Sequence, residues 1–176
     1  MSHRVLAICF DCGDTLIDEA TEIKDGAEIA LSANLIPGAD EVVRQLKQRG
    51  YKLALIADGP AATFRNLLRQ HSLTDCFDAF AISELLGVEK PHPLMFRHAL
   101  DALGISAADY GQTVMVGNNL ARDIKGANSV GMISVWLDWA PRRSKTPANR
   151  LEIPRYTITL PLDLLLVIDL LENTAP

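Results

Sequence analysis

Cysteine is scarce. Cys9, Cys12 and Cys76 are the three in the chain, an odd number, and no pair has the spacing of a zinc site or a redox motif. A reducing, cytoplasmic compartment is the expectation. Long apolar runs are also lacking. The run that opens near Val5 stops at Asp11, so neither a signal peptide nor a membrane span is expected there. The stretch from Leu160 to Leu171 carries Asp163 and Asp169 and reads as a packed terminal helix. Positive charge is in deficit, with 17 Lys and Arg against 22 Asp and Glu and a net charge of -5. Nothing in that balance favours nucleic acid or a membrane surface as partner. The one short basic cluster, Arg142, Arg143 and Lys145, reads as a solvated loop. His71, His92 and His98 have no metal-ligand spacing, and neither internal repeats nor low-complexity segments occur.

What remains is ordinary globular material: 176 residues, 48% apolar and 22% charged, enough for a single domain over residues 1–176 with a real core. Val5 to Phe10 is a continuous apolar run that breaks at Asp11-Cys12-Gly13-Asp14, as a buried parallel strand entering a loop would. Tyr51 to Ala57, Phe77 to Ile82, Thr113 to Val116 and Met132 to Leu137 are four further strands. Helices are expected from Ala39 to Arg49, Ala61 to about His71, after Pro93 to about Leu103, and Leu120 to Val130. Tyr156 to Thr159 reads as a short edge strand, after a loop from Pro141 to Pro154. This alternation predicts an α/β fold with a mainly parallel central sheet of five strands or slightly more. Residues 18–36 admit two readings, a long helix or a small insertion near the first strand.

Parallel sheets bind ligands beyond the carboxyl ends of their strands. Strand 1 delivers Asp11, Gly13, Asp14 and Thr15 there, and strand 2 delivers Asp58 and Gly59. The loop after strand 3 leads to Lys90. Strand 4 delivers Asn118 and Asn119, with Asp123 a few residues into the next helix. Carboxylates and a lysine thus converge on one sheet edge, a set suited to phosphoryl transfer. A carboxylate can attack phosphorus, Mg²⁺ favours a few carboxylate and carbonyl oxygens, and a lysine steadies phosphoryl oxygens.

The order of these motifs resembles the haloacid dehalogenase (HAD) superfamily along nearly the whole chain. Phe10-Asp11-Cys12-Gly13-Asp14-Thr15-Leu16 resembles its first motif, D-x-D-G-T-L. Leu53 to Gly59 resembles the second, with Ala57 where Ser or Thr normally stands. Val88-Glu89-Lys90-Pro91-His92-Pro93 resembles the third, and Met115 to Ala127 the fourth. The resemblance implies a HAD-like Rossmannoid three-layer sandwich and a Mg²⁺-dependent phosphatase acting through an aspartyl-phosphate on Asp11. It implies Asp11, Lys90 and Asp14 as catalytic residues and Asp11, the Gly13 carbonyl and Asp123 as metal ligands. Thr15, Ala57, Asp58, Gly59, Asn118 and Asn119 are its candidate substrate-binding residues, although Asp58 also reads as a brace for its turn. Small or larger phosphorylated molecules are the implied substrates.

The sequence departs from the family at three points. Gly13 stands where a general acid/base aspartate is usual, Ala57 lacks the phosphate-binding hydroxyl, and Asn118 replaces an acidic residue. Two further readings follow: a catalytically reduced domain that binds a phosphorylated ligand or a protein, and carbon–halogen hydrolysis. The span between Asp11 and Asp58 is too short for a full helical cap, which disfavours the latter. It leaves residues 18–36 as a vestigial cap or flap, with an open site that a second copy of the chain would cover.

Overall fold

In the computed structural model, which describes residues 4–173, the apolar runs pair side by side. The first, β1 (Ala7–Phe10), is buried along its length. A two-residue strand β2 (Ile23–Lys24) and β3 (Ala30–Ser32) follow, then β4 (Lys52–Ala57), β5 (Ala79–Ile82), β6 (Thr113–Gly117), β7 (Ile133–Leu137) and β8 (Tyr156–Ile158). Six of these form one sheet in the order β5-β4-β1-β6-β7-β8, with every pairing parallel. The sixth member is β8, the edge strand anticipated from Tyr156.

Six helices connect and cover the strands: α1 (Ala39–Gln48), α2 (Ala61–Gln70), α3 (Ser83–Leu86), α4 (Pro93–Ala102), α5 (Lys125–Val130) and α6 (Asp163–Asn173). Alternation along β1 splits the core into two layers. Ile8 and Phe10 join the cluster that holds Val42, Val43 and Leu46 of α1, Phe64, Leu67 and Leu68 of α2, and Leu164 and Ile168 of α6. Ala7 and Cys9 join Met95, Phe96, Ala99 and Leu100 of α4 and Ala127 of α5. The expected three-layer α/β sandwich is thus the observed one. Among the described residues no helix is long and apolar enough to cross a membrane.

The chain leaves β1 on one side to form β4 and β5, then returns to the other side to form β6 and β7. The reversal between β1 and β6 opens a crevice at their carboxyl ends, where ligands bind in such sheets. Residues 18–36 are not a long helix. They make a 3₁₀ turn, Glu19–Thr21, and the antiparallel hairpin β2–β3. The Asp25 carboxylate closes the hairpin turn, accepting from the backbone N–H groups of Ala27 and Ile29 at 2.9 and 3.0 Å. Polar side chains of α2 pin β3 in place: Thr63 Oγ1 accepts from Ala30 N–H at 3.0 Å, and Asn66 Nδ2 donates to the Ala30 carbonyl at 3.0 Å. The expected helix Leu120–Val130 also divides, with a π-helical turn over Leu120–Ile124 ahead of α5.

Candidate active site

β1 hands its last ladder bond to Asp11, whose N–H donates to the Val116 carbonyl at 2.9 Å. The chain then coils tightly, with the Cys12 carbonyl accepting from the N–H groups of Thr15, Leu16 and Ile17. This turn aims Asp11 into the crevice and folds Thr15 back beneath it. The Thr15 hydroxyl donates to Asp11 Oδ2 at 3.1 Å. Cys12 is buried, and burial followed by the Asp11 charge pushes its thiol well above the ordinary range.

Lys90 joins three strand ends. Its Nζ lies 2.6 Å from Asp11 Oδ1 and 2.7 Å from Asp123 Oδ1, and it donates to the Ile56 carbonyl of β4 at 2.9 Å. The side chains of Lys90 and Asp123 are 2% and 1% exposed, so these charges interact with little water between them. Burial alone would lower the lysine pKa. The carboxylates of Asp11, Asp123 and Asp58 outweigh it and hold the ammonium charged above its ordinary value. The Asp123 carboxyl is raised as well: burial, then the Asp11 charge, push it up, against Lys90 and the Asn119 N–H. Its Oδ2 accepts that N–H at 2.9 Å. Gly117 permits this arrangement, because a Cβ there would lie 2.5 Å from the Asp123 Cβ and nearer still to its carboxylate.

The other candidates divide by placement. Asp58 accepts from Lys90 N–H at 2.9 Å through one oxygen and pairs with Arg122 at 3.0 Å through the other. It braces the loop that carries Lys90 while lining the crevice. Gly59 also lines it, but its N–H is committed to Ser83 Oγ at 2.8 Å. Ala57 is buried at the end of β4 and is not among the residues lining the crevice. Asn118 and Asn119 both line it. Asn118 is buried, its Nδ2 finds no partner among the described residues, and its carbonyl accepts from Trp136 Nε1 at 2.9 Å. The Asn119 side chain caps the following turn at Ala121 N–H.

Asp14 does not reach the crevice. Its backbone takes a left-handed conformation, φ 52°, which aspartate tolerates. That conformation turns the side chain into a buried pocket, where it meets Arg142. Arg142 Nε lies 2.7 Å from Asp14 Oδ2, and the Arg142 guanidinium also binds Glu19. The basic cluster near 142 is the exposed loop expected, but its charges are paired. Arg142 clamps two acids, Arg143 pairs with Glu19 at 3.5 Å and Lys145 with Asp138 at 2.6 Å.

The crevice has a volume of about 200 Å³, which suits a phosphoryl group with a short organic part. Glu19, Lys24, Arg122 and Arg143 line it alongside the motif residues. Arg122 belongs to the fourth motif and enters on the turn after β6; Glu19, Lys24 and Arg143 stand in no recognisable motif and are brought in by the 3₁₀ turn, the hairpin and the 141–154 loop. Asp11, Gly13 and Asp123, the residues the resemblance offers for Mg²⁺, all line the crevice, and carboxylate and carbonyl oxygens are the kind Mg²⁺ takes. Among the described residues no three His, Cys, Asp or Glu side chains gather into a metal cluster.

A family model described as haloacid dehalogenase-like hydrolase matches residues 19–131, a stretch holding Lys90, Asn118 and Asp123 and starting after Asp11. The glyceraldehyde 3-phosphate phosphatase of Pyrococcus abyssi is 40% identical over 105 residues, covering 59% of this chain and 42% of its own. That of Methanopyrus kandleri is 33% identical over 132 residues, covering 75% and 55%. A HAD phosphatase from Thermococcus onnurineus superposes with a TM-score of 0.67 at 28% identity, covering 77% of this chain and 59% of that one. The chain spans about half the length of the curated relatives it matches.

Proposed function

The chain belongs to the haloacid dehalogenase-like hydrolases, and from that premise we propose that it hydrolyses phosphate monoesters through Asp11. The observation that carries this reading is the buried ammonium of Lys90 between Asp11 and Asp123. Lys90 holds one oxygen of the Asp11 carboxylate at 2.6 Å, at the crevice where a carboxylate can attack phosphorus. In the proposed reaction Asp11 attacks phosphorus, the ester bond to the alcohol breaks, and water then cleaves the aspartyl-phosphate to release inorganic phosphate. Lys90 offsets the charge that builds on the phosphoryl oxygens, in a site where water screens little. The Thr15 hydroxyl holds the second oxygen of Asp11 and so restricts which one attacks.

The oxygen set of Asp11, the Gly13 carbonyl and Asp123 fits Mg²⁺, which when bound offsets repulsion between the anionic nucleophile and the anionic ester. Small phosphorylated metabolites are the substrates that fit a crevice of about 200 Å³, and the similar phosphatases support that class. Three free, buried cysteines suit a reducing cytoplasm. A second subunit covering the open crevice belongs to the same reading.

The test is turnover of a phosphate-ester panel with Mg²⁺, beside Asp11→Asn. Metal-dependent release of phosphate that disappears in Asp11→Asn is the expected result. A second reading, a domain that binds a phosphorylated ligand without turning it over, draws on the methyl group of Ala57 where a hydroxyl is usual. Ligand-induced stabilisation with no turnover on any ester would favour it.

A further inference from the structure

Gly13 leaves a space beside the nucleophile, and that space is filled. A Cβ built on Gly13 would overlap the Glu19 Oε1 atom outright and lie 2.6 Å from its Cδ and 2.9 Å from its Cγ. The Glu19 carboxylate thus stands where a side chain from residue 13 would project, on the wall of the crevice that holds Asp11 and Lys90. We propose that Glu19 supplies the general acid and base that residue 13 cannot, entering the site from the 3₁₀ turn instead of the β1 loop. The proposal rests on the phosphatase reading above.

The surroundings of Glu19 are built around that position. Arg142 and Arg143 both bind Oε2, which leaves Oε1 as the oxygen turned toward Gly13. Asp14 anchors the residue from two sides: its Oδ1 accepts from the Glu19 N–H at 3.2 Å, and its Oδ2 holds the Arg142 that grips the Glu19 carboxylate. Asp14 is therefore a positioning residue, and the side chain it positions is the catalytic one. Glycine at 13 and glutamate at 19 are sterically matched, because any larger residue at 13 collides with the carboxylate.

The proton balance follows. As Asp11 displaces the alkoxide, the protonated Glu19 gives its proton to that oxygen and the alcohol leaves. Glu19, now a carboxylate, takes a proton from water, whose hydroxide attacks phosphorus and breaks the bond to Asp11. Inorganic phosphate leaves, and Glu19 again carries the proton. The net change is ester plus water to alcohol plus phosphate.

The experiment compares the full-length protein with Glu19→Gln and with Asp11→Asn on two substrates, an activated aryl phosphate and an alkyl phosphate. A poor leaving group needs the proton more. Glu19→Gln should lower kcat on the alkyl ester by about 10²–10⁴-fold, and on the aryl ester by at least tenfold less. A third protein, Gly13→Asp with Glu19→Ala, places a carboxylate from the other side of the same space and should recover part of the alkyl-ester rate. Equal losses on both substrates with no recovery in the double variant would mean that Glu19 serves structure alone and would overturn the proposal. So would wild-type rates in Glu19→Gln. Retained turnover in Asp11→Asn would instead sink the phosphatase reading, and Glu19 with it.

Discussion

Arg142 Nε lies 2.7 Å from Asp14 Oδ2, a contact that ties the loop after β7 to the turn after β1. Asp14 is almost fully buried, with its side chain 2% exposed, whereas that of Arg142 is 45% exposed. Removing the arginine strands a buried carboxylate, while the exposure of the guanidinium limits the loss. Arg142→Ala should therefore destabilise the fold by about 1–3 kcal/mol, less than a fully buried pair would cost. Urea unfolding measures this, and an unchanged midpoint would show that Asp14 finds another partner.

Lys90 is the one cation within hydrogen-bonding distance of both Asp11 and Asp123 among the described residues. Lys90→Met leaves two buried carboxylates facing one another. A loss of about 3–5 kcal/mol is expected, together with loss of turnover. Adding Mg²⁺ should restore part of the stability, because it replaces the missing positive charge. Thermal melts of the variant with and without Mg²⁺ would detect the difference, and identical melts would argue against a cation at these oxygens.

The acidity of Asp123 sets a pH dependence in metal-free protein. Its folded pKa is raised to about 7, above the unfolded value of about 3.9. Between the two the folded state binds more protons than the unfolded state, so stability falls as pH rises through that window. With a chelator present, the decline should run from about pH 4 to pH 7, and Asp123→Asn should flatten it. Denaturant midpoints measured across this range would decide, and a wild-type slope that survives the substitution would assign it to another group.

Thr15→Val keeps the shape of a buried residue but removes the hydroxyl bound to Asp11 Oδ2. Hydrogen bonds to charged groups are worth about 1.5–3 kcal/mol, so kcat/KM should fall by roughly ten- to a hundredfold. Steady-state kinetics on one good ester suffice. A fall in stability with kcat/KM intact would make the bond structural.

The buried strands and the residues at their carboxyl ends were legible in the chain itself. Val5 to Phe10, Leu53 to Ala57 and Val114 to Val116 are uninterrupted apolar runs, and such runs in alternation with helices admit few topologies other than a parallel sheet. That order carries Asp11, Asp58, Asn118 and Asp123 to one edge, and the motif around Lys90 marks it for the same place. The 18–36 segment was less legible. Its strands are short, and they hold as a hairpin through side chains of α2 that lie far along the chain.

The sequence by itself determined the fold class and the place of Asp11 at the sheet edge, because both follow from local apolar runs and the turns that end them. Tertiary structure alone decided what stands beside Asp11. Asp14 and Glu19 are near neighbours in sequence, yet one turns away from the crevice and the other fills the space at Gly13. The cause is a left-handed residue at Asp14 and an arginine at 142 that holds both acids. Such an outcome depends on how distant loops close over one another, and neither periodicity nor spacing records it.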